Sequence, residues 1–257
     1  MRRGIAFLFL FVAAAAAHAG PSPADVALVN VYKDAEFTPG RQAPQKDYGD
    51  QKLYRLPNGT LLWVFTDGSA VAQTPDHVTI SIEFSEGREY SRTIELPSGR
   101  TCWIDADKNI EWGLAKESAP DFALKTLGDP SRTIRLSDLR GKVVLLDFWA
   151  SWCQPCMHAL PDTEAAYGKY KSRGLQVFGI NIEGDASRAA GAVKALGLTF
   201  PVLLAQPDGK GRFNWASKQI ADYRIHGIPA MFLIDKNGVV QKEGDVAAED
   251  IEKYLGQ

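Results

Sequence analysis

Val143-Val144-Leu145-Leu146-Asp147-Phe148-Trp149-Ala150-Ser151-Trp152-Cys153-Gln154-Pro155-Cys156 is the stretch on which the whole chain turns. Apart from Asp147, residues 143–149 are apolar at every position, which fits a strand buried on both faces rather than one facing water. A helical pattern over about 156–172 follows, so two cysteines three residues apart sit at a strand-to-helix junction. There the unpaired N–H groups of the first helical turn and the helix dipole favour a thiolate on Cys153. They lower its pKa from ~8.5 to somewhere between ~3.5 and ~7.5. Cys156, one turn inward, is close enough to close a disulfide ring and release a mixed disulfide. Pro155 removes an N–H that the first turn leaves unpaired anyway, and it stiffens the loop. Cys-x-x-Cys in this setting is the pattern of a redox-active dithiol.

Other uses of the pair fit less well. A zinc ribbon needs a second Cys or His pair, and the sequence offers none. Attachment of a c-type haem needs His directly after the second cysteine, whereas Met157 stands there and His158 comes one place late. A purely structural disulfide gains little entropy from closing so short a loop.

Around this junction, apolar runs alternate with helical segments. Strands are expected at Val143–Trp149, Leu175–Ile182, Pro201–Leu204, Ala230–Ile234 and Val239–Lys242, with helices near 156–172, 186–196, 215–224 and 247–255. That alternation predicts an α/β unit of βαβ type. Asn237-Gly238 between the last two runs predicts a tight hairpin, hence an antiparallel final pair.

Residues 24–112 follow another rule. Short alternating runs (61–66, 78–84, 101–105) are separated by the turn pairs Asn58-Gly59, Glu86-Gly87 and Ser98-Gly99, which predicts a small all-β domain. Leu56-Pro57-Asn58-Gly59 with Trp63 and Asp67 repeats forty residues on as Leu96-Pro97-Ser98-Gly99 with Trp103 and Asp107. Two copies are too few for a solenoid and predict two equivalent hairpins. Cys102 falls where Leu62 falls in the other copy, so a buried apolar role is favoured over a third redox thiol or intermolecular pairing. The polar stretch 113–119 is the expected boundary, dividing the chain into 20–118 and 119–257.

The 257 residues carry 31 acidic and 29 basic side chains, 45% hydrophobic and 23% charged, with a formal charge of −2. This is globular composition without a basic footprint, which excludes disordered and collagen-like chains and makes nucleic acid an unexpected partner. Residues 1–19 read as a secretory signal: Arg2 and Arg3, the apolar run 5–17, then Ala17-His18-Ala19 as the cleavage site. Cleavage after Ala19 implies a periplasmic, disulfide-permissive location, with no membrane insertion of the mature protein.

Asp147 through Cys156 with Pro161 five residues on, Ala119-Pro120-Asp121-Phe122, Leu136-Ser137-Asp138-Leu139-Arg140-Gly141-Lys142, and Gly227-Ile228-Pro229-Ala230-Met231-Phe232-Leu233-Ile234-Asp235 together resemble the thioredoxin superfamily. The likeness is to its exported TlpA/ResA-like branch and covers about 119–257. It implies a thioredoxin fold, thiol–disulfide exchange through a Cys153–Cys156 disulfide, and no dissociable cofactor. It further implies a cis-proline at Pro229, with the backbone of Ile228 free to pair with an extended substrate. Asp147 would take or relay the proton of Cys156, in a position where many exported relatives carry an amide. Glu183, at the end of the second strand, is offset by one from the family's acidic position and reads equally as a solvated loop charge. Asp185 is better placed as a helix N-cap. Trp149 and Trp152 are expected around the disulfide, His158 and His226 as surface residues. Residues 205–219 run longer than the family's usual connection and either shape partner choice or form a tolerated insertion.

The resemblance favours the reducing direction, with protein disulfides as substrates, a membrane thiol as electron donor, and apocytochromes or metal-site proteins as clients. A disulfide oxidase or isomerase is the enzymatic alternative. A client-binding or chaperone module with an accessory redox pair is the other. Oligomeric state is left open by the sequence.

Overall fold

The computed structural model describes residues 21–33, 44–47, 49, 51–55, 59–65, 70–75, 78–85, 88–96, 98–105, 107–244 and 246–256. The expected signal segment 1–19, Asn58 and the Glu86-Gly87 turn pair lie outside them. Among the described residues no helix is long and apolar enough to cross a membrane.

The first half opens with helix α1 (Pro23–Lys33). Strands β1 (Lys46–Asp47), β2 (Gln51–Arg55), β3 (Leu61–Phe65), β4 (Ala70–Gln73), β5 (Thr79–Ser85), β6 (Arg88–Glu95), β7 (Thr101–Ile104) and β8 (Ile110–Trp112) follow as one antiparallel meander, each beside its sequence neighbours. The helix corrects the all-β expectation. Its signal was legible: Ser22 Oγ accepts from Asp25 N at 3.1 Å, Asp25 Oδ2 accepts from Ser22 N at 3.2 Å, and Pro23 opens the first turn. This is a reciprocal cap. Val29 of α1 is wholly buried in the core that also holds Leu62, Ile94 and Cys102.

The two repeats are equivalent hairpins in the sheet, β2–β3 and β6–β7. Gly59 and Gly99 both take left-handed conformations, φ +86° and +78°, where a side chain would be strained. Leu62 pairs with Tyr54 and Cys102 with Ile94 at matching register positions. Cys102 is a free thiol in the core, and burial pushes its pKa up to about 12.

The second half begins with the hairpin β9 (Ala123–Lys125) and β10 (Thr133–Arg135), two three-residue strands too short to carry an alternating pattern. Its principal sheet comprises β11 (Val143–Trp149), β12 (Leu175–Asn181), β13 (Val202–Leu204), β14 (Ala230–Ile234) and β15 (Val240–Glu243), in the order β13-β12-β11-β14-β15. Strands β11–β13 are parallel, while β14 and β15 run antiparallel. Helices α2 (Gln154–Tyr170), α3 (Ala186–Leu196), α4 (Lys218–Asp222) and α5 (Ala248–Leu255) complete a thioredoxin-like fold. The expected helix over 215–224 is a 3-10 turn at Asn214–Ala216 followed by the short α4. All seven residues of β11 are buried, as the unbroken apolar run requires.

The expected boundary at 113–119 is not a free linker. It runs along the edge of β15, with Lys116 N donating to Val240 O at 2.7 Å and Val240 N to Glu117 O at 2.9 Å. Glu243 of β15 accepts from Leu114 N at 3.0 Å and from Thr101 Oγ1 of β7, so the junction is built from both halves. The stretch looks polar, but Leu114, Ala115 and Ala119 are buried.

Candidate active site

Cys153 is the N-cap of α2, and its Sγ accepts from Cys156 N at 3.2 Å. The two cysteines are joined by a disulfide. Cys153 keeps 5% of its surface exposed and Cys156 none, so an incoming thiolate can approach only the first sulfur. The helix begins here because Pro155 fits its first turn and Cys153 occupies the capping position.

The Ile228–Pro229 peptide bond is cis, and the Ile228 carbonyl oxygen lies 3.6 Å from Cys153 Sγ. Pro229 is exposed and Ile228 partly so, leaving this loop open beside the sulfur.

Asp147 lies in the middle of β11, 1% exposed. Its Oδ2 accepts from Thr163 Oγ1 at 2.7 Å, while its buried Oδ1 has no partner. Removal from water pushes its pKa up to about 6, against the lowering effect of the Thr163 bond. Thr163 is seven residues beyond Cys156 on α2, hence on the same helix face, and this places the acid beneath the active-site helix.

Glu183 is not a solvated loop charge. Its Oε2 accepts from Ser151 N at 3.1 Å and Ser151 Oγ at 2.7 Å, and its Oε1 from Asn181 Nδ2 at 3.2 Å. It thereby ties the end of β12 to the loop that leads into Trp152 and Cys153. Asp185 caps α3 as expected, accepting from Ser187 N and Arg188 N.

The two tryptophans separate. Trp149 is wholly buried, its indole against Gly179, where an added Cβ would come within 2.9 Å of Nε1. Trp152 is 45% exposed and donates through Nε1 to Asn214 Oδ1 at 3.1 Å. Sequence reasoning missed Asn214, whose left-handed backbone (φ +58°) is a conformation that asparagine tolerates better than most residues.

His158 is exposed on α2. His226 is exposed as well, but its ring has partners: it stacks on Trp103 of β7 with ring centroids 4.0 Å apart, and its Nε2 lies 2.8 Å from Glu111 Oε2 of β8. A cavity of about 470 Å³ separates this face of the first sheet from the Ile228–Pro229 loop. No pattern in the sequence marks this meeting of residues 103, 111 and 226. Among the described residues, no group of three His, Cys, Asp or Glu side chains could hold a metal ion.

Residues 114–256 match the Redoxin family. The thiol-disulfide oxidoreductase ResA of Geobacillus kaustophilus is 35% identical over 140 residues, 54% of this chain and 74% of the relative. ResA of Bacillus thuringiensis strain Al Hakam is 35% identical over 152 residues, 58% and 80% of the respective chains. Among solved structures, a thioredoxin-family thiol:disulfide interchange protein from Chlorobium tepidum TLS is 26% identical, with a TM-score of 0.44 over 54% of this chain and 93% of its own. With its cysteine pair at the head of α2, the chain belongs to the Redoxin family as a thiol-disulfide oxidoreductase of the ResA type.

Proposed function

We propose that the protein is an exported reductase of protein disulfides, acting through Cys153 and Cys156. In the dithiol form, the Cys153 thiolate attacks one sulfur of a client disulfide and expels the other as a thiolate. The Cys156 thiolate then attacks Cys153 Sγ, which closes the Cys153–Cys156 disulfide and releases the second client thiol. Two electrons pass from enzyme to client. A dithiol donor, which we assign to the membrane, restores the pair: one donor thiolate attacks Cys153 Sγ, the sulfur with exposed surface, and expels the Cys156 thiolate, and the second donor thiolate then releases Cys153 and leaves the donor as a disulfide.

The observation that carries this reading is the asymmetry of the pair. Cys153 caps α2 beside the Ile228 carbonyl, whereas Cys156 is sealed beneath it. Asp147, held part-way to protonation near neutral pH by its burial, is suited to accept the Cys156 proton and return it. Ile228 and Pro229 offer an open backbone edge to an extended client, and Glu183 steadies the loop ahead of Trp152. Residues 20–118 form the accompanying domain, while 119–257 carry the exchange chemistry. Apocytochromes and metal-site proteins with paired cysteines are the client class we assign, on the strength of the sequence resemblance.

The direction is tested by the reduction potential of the pair, equilibrated against glutathione or dithiothreitol in protein carrying Cys102→Ala. A value at or below about −250 mV agrees with a reductase. A value near −120 mV belongs to an oxidase and overturns the assignment.

A further inference from the structure

Three large apolar side chains stand out on the surface of the second half: Trp152 (45% exposed), which precedes Cys153 in the chain, Phe213 (36%), and Trp215 (50%), whose ring lies beside that of Trp152. Two of them come from the connection between β13 and α4, which is longer than the fold requires. We propose that this connection forms an aromatic recognition platform, which selects client polypeptides carrying an apolar side chain next to the cysteine under attack. The inference rests on the exchange function proposed above.

The connection is a built structure rather than loose chain. Asp208 folds its first turn, accepting from Lys210 N and Arg212 N at 2.9 Å each and from Arg212 Nε at 2.8 Å. Its second part is fastened to the end of β12, where the Ile182 carbonyl accepts from Asn214 N at 2.7 Å and from Ser217 Oγ at 3.1 Å. Phe213 lies over Gly184, where an added Cβ would fall 2.4 Å from its ring. Asn214 accepts the left-handed conformation that puts its Oδ1 on Trp152 Nε1. The outcome is a Trp152–Trp215 pair with centroids 6.2 Å apart, held in place before any ligand arrives.

The exposed faces of Trp152 and Trp215 add nothing to stability while they face water, because apolar surface left in contact with solvent contributes none. What they offer is preorganised contact area at low entropic cost. Trp152 is adjacent in sequence to Cys153, so the platform is continuous with the atom that a client sulfur must reach. A second copy of this chain seated there would cover that sulfur, which favours the client polypeptide as occupant.

The test uses two synthetic peptides with one intramolecular disulfide each, identical except that leucine or serine precedes the attacked cysteine. Reduced wild-type protein is expected to prefer the leucine peptide by about fivefold to tenfold in kcat/KM. Trp215→Ala is expected to bring the ratio near one, and Trp215→Phe to keep most of it. Equal exchange with both peptides, or a preference that survives Trp215→Ala, would overturn the platform alone. Exchange with neither peptide would overturn the functional reading as well. Sedimentation of the oxidised protein is expected to show no self-association through this patch, and a dimer dissolved by Trp215→Ala would overturn the client assignment.

Discussion

Thr163 Oγ1 donates to Asp147 Oδ2 at 2.7 Å across the interface of α2 and β11, and it is the one hydrogen bond this buried carboxyl makes. A second buried acid, Glu243, stands at the junction of the two halves, and burial pushes its pKa up to about 7. Both groups therefore hold protons in the folded chain that they release in the unfolded one.

Their raised values set the sign of a pH dependence. Between about pH 4 and 7 these two groups bind more protons in the folded state than in the unfolded state, so their contribution to stability falls as pH rises through that window. Asp147→Asn is expected to remove its share of the loss. The variant should be more stable than wild type at pH 8 by about 3 kcal/mol and little different at pH 4. Urea unfolding at the two pH values checks this, and equal effects at both would contradict the assignment. On the proposed mechanism, in which Asp147 takes the proton of Cys156, the same substitution is expected to slow the release of a client mixed disulfide.

Glu183→Ala strips the acceptor from Ser151 N and Ser151 Oγ. Leaving those donors unpaired is expected to cost about 1–3 kcal/mol. Because the loop leads directly to Cys153, the rate of exchange should also drop severalfold, while Glu183→Gln, which retains an acceptor, should recover most of it. Paired measurements of stability and exchange rate distinguish this from a surface charge of no consequence.

Cys102 is 1% exposed, and burial pushes its thiol pKa up to about 12. In the oxidised native protein an aromatic disulfide reagent is expected to find no reactive thiol within minutes, and one after denaturation. Rapid labelling of the native state would return Cys102 to the list of redox groups.

Gly113 occupies a place with no room for a side chain. A Cβ there would come within 1.6 Å of Glu243 Oε1 and 2.3 Å of Thr101 Oγ1. Gly113→Ala is expected to cost about 1–3 kcal/mol through overpacking, and to loosen the contact between the first sheet and β15. Limited proteolysis near residue 113 would report that loosening directly.

Much of the second half was legible from local pattern. The apolar run of β11, the Asn237-Gly238 turn and the cysteine spacing each carry their structure within a few residues, because strand burial, turn handedness and helix capping are short-range effects. The cap that starts α1 is equally local, but its short helix stands beside a long run of alternating strands, whose period dominates the pattern of that half. The reach of Glu183 to Ser151, the grip of Asn214 on Trp152, and the stacking of His226 on Trp103 had no such signal. Those pairs are separated by 32, 62 and more than a hundred positions. The sequence alone determined which atoms could exchange electrons, because a thiolate at a helix start is a matter of nearest neighbours. Only the tertiary structure decided what surrounds them, because those contacts exist only after distant segments have been packed against one another.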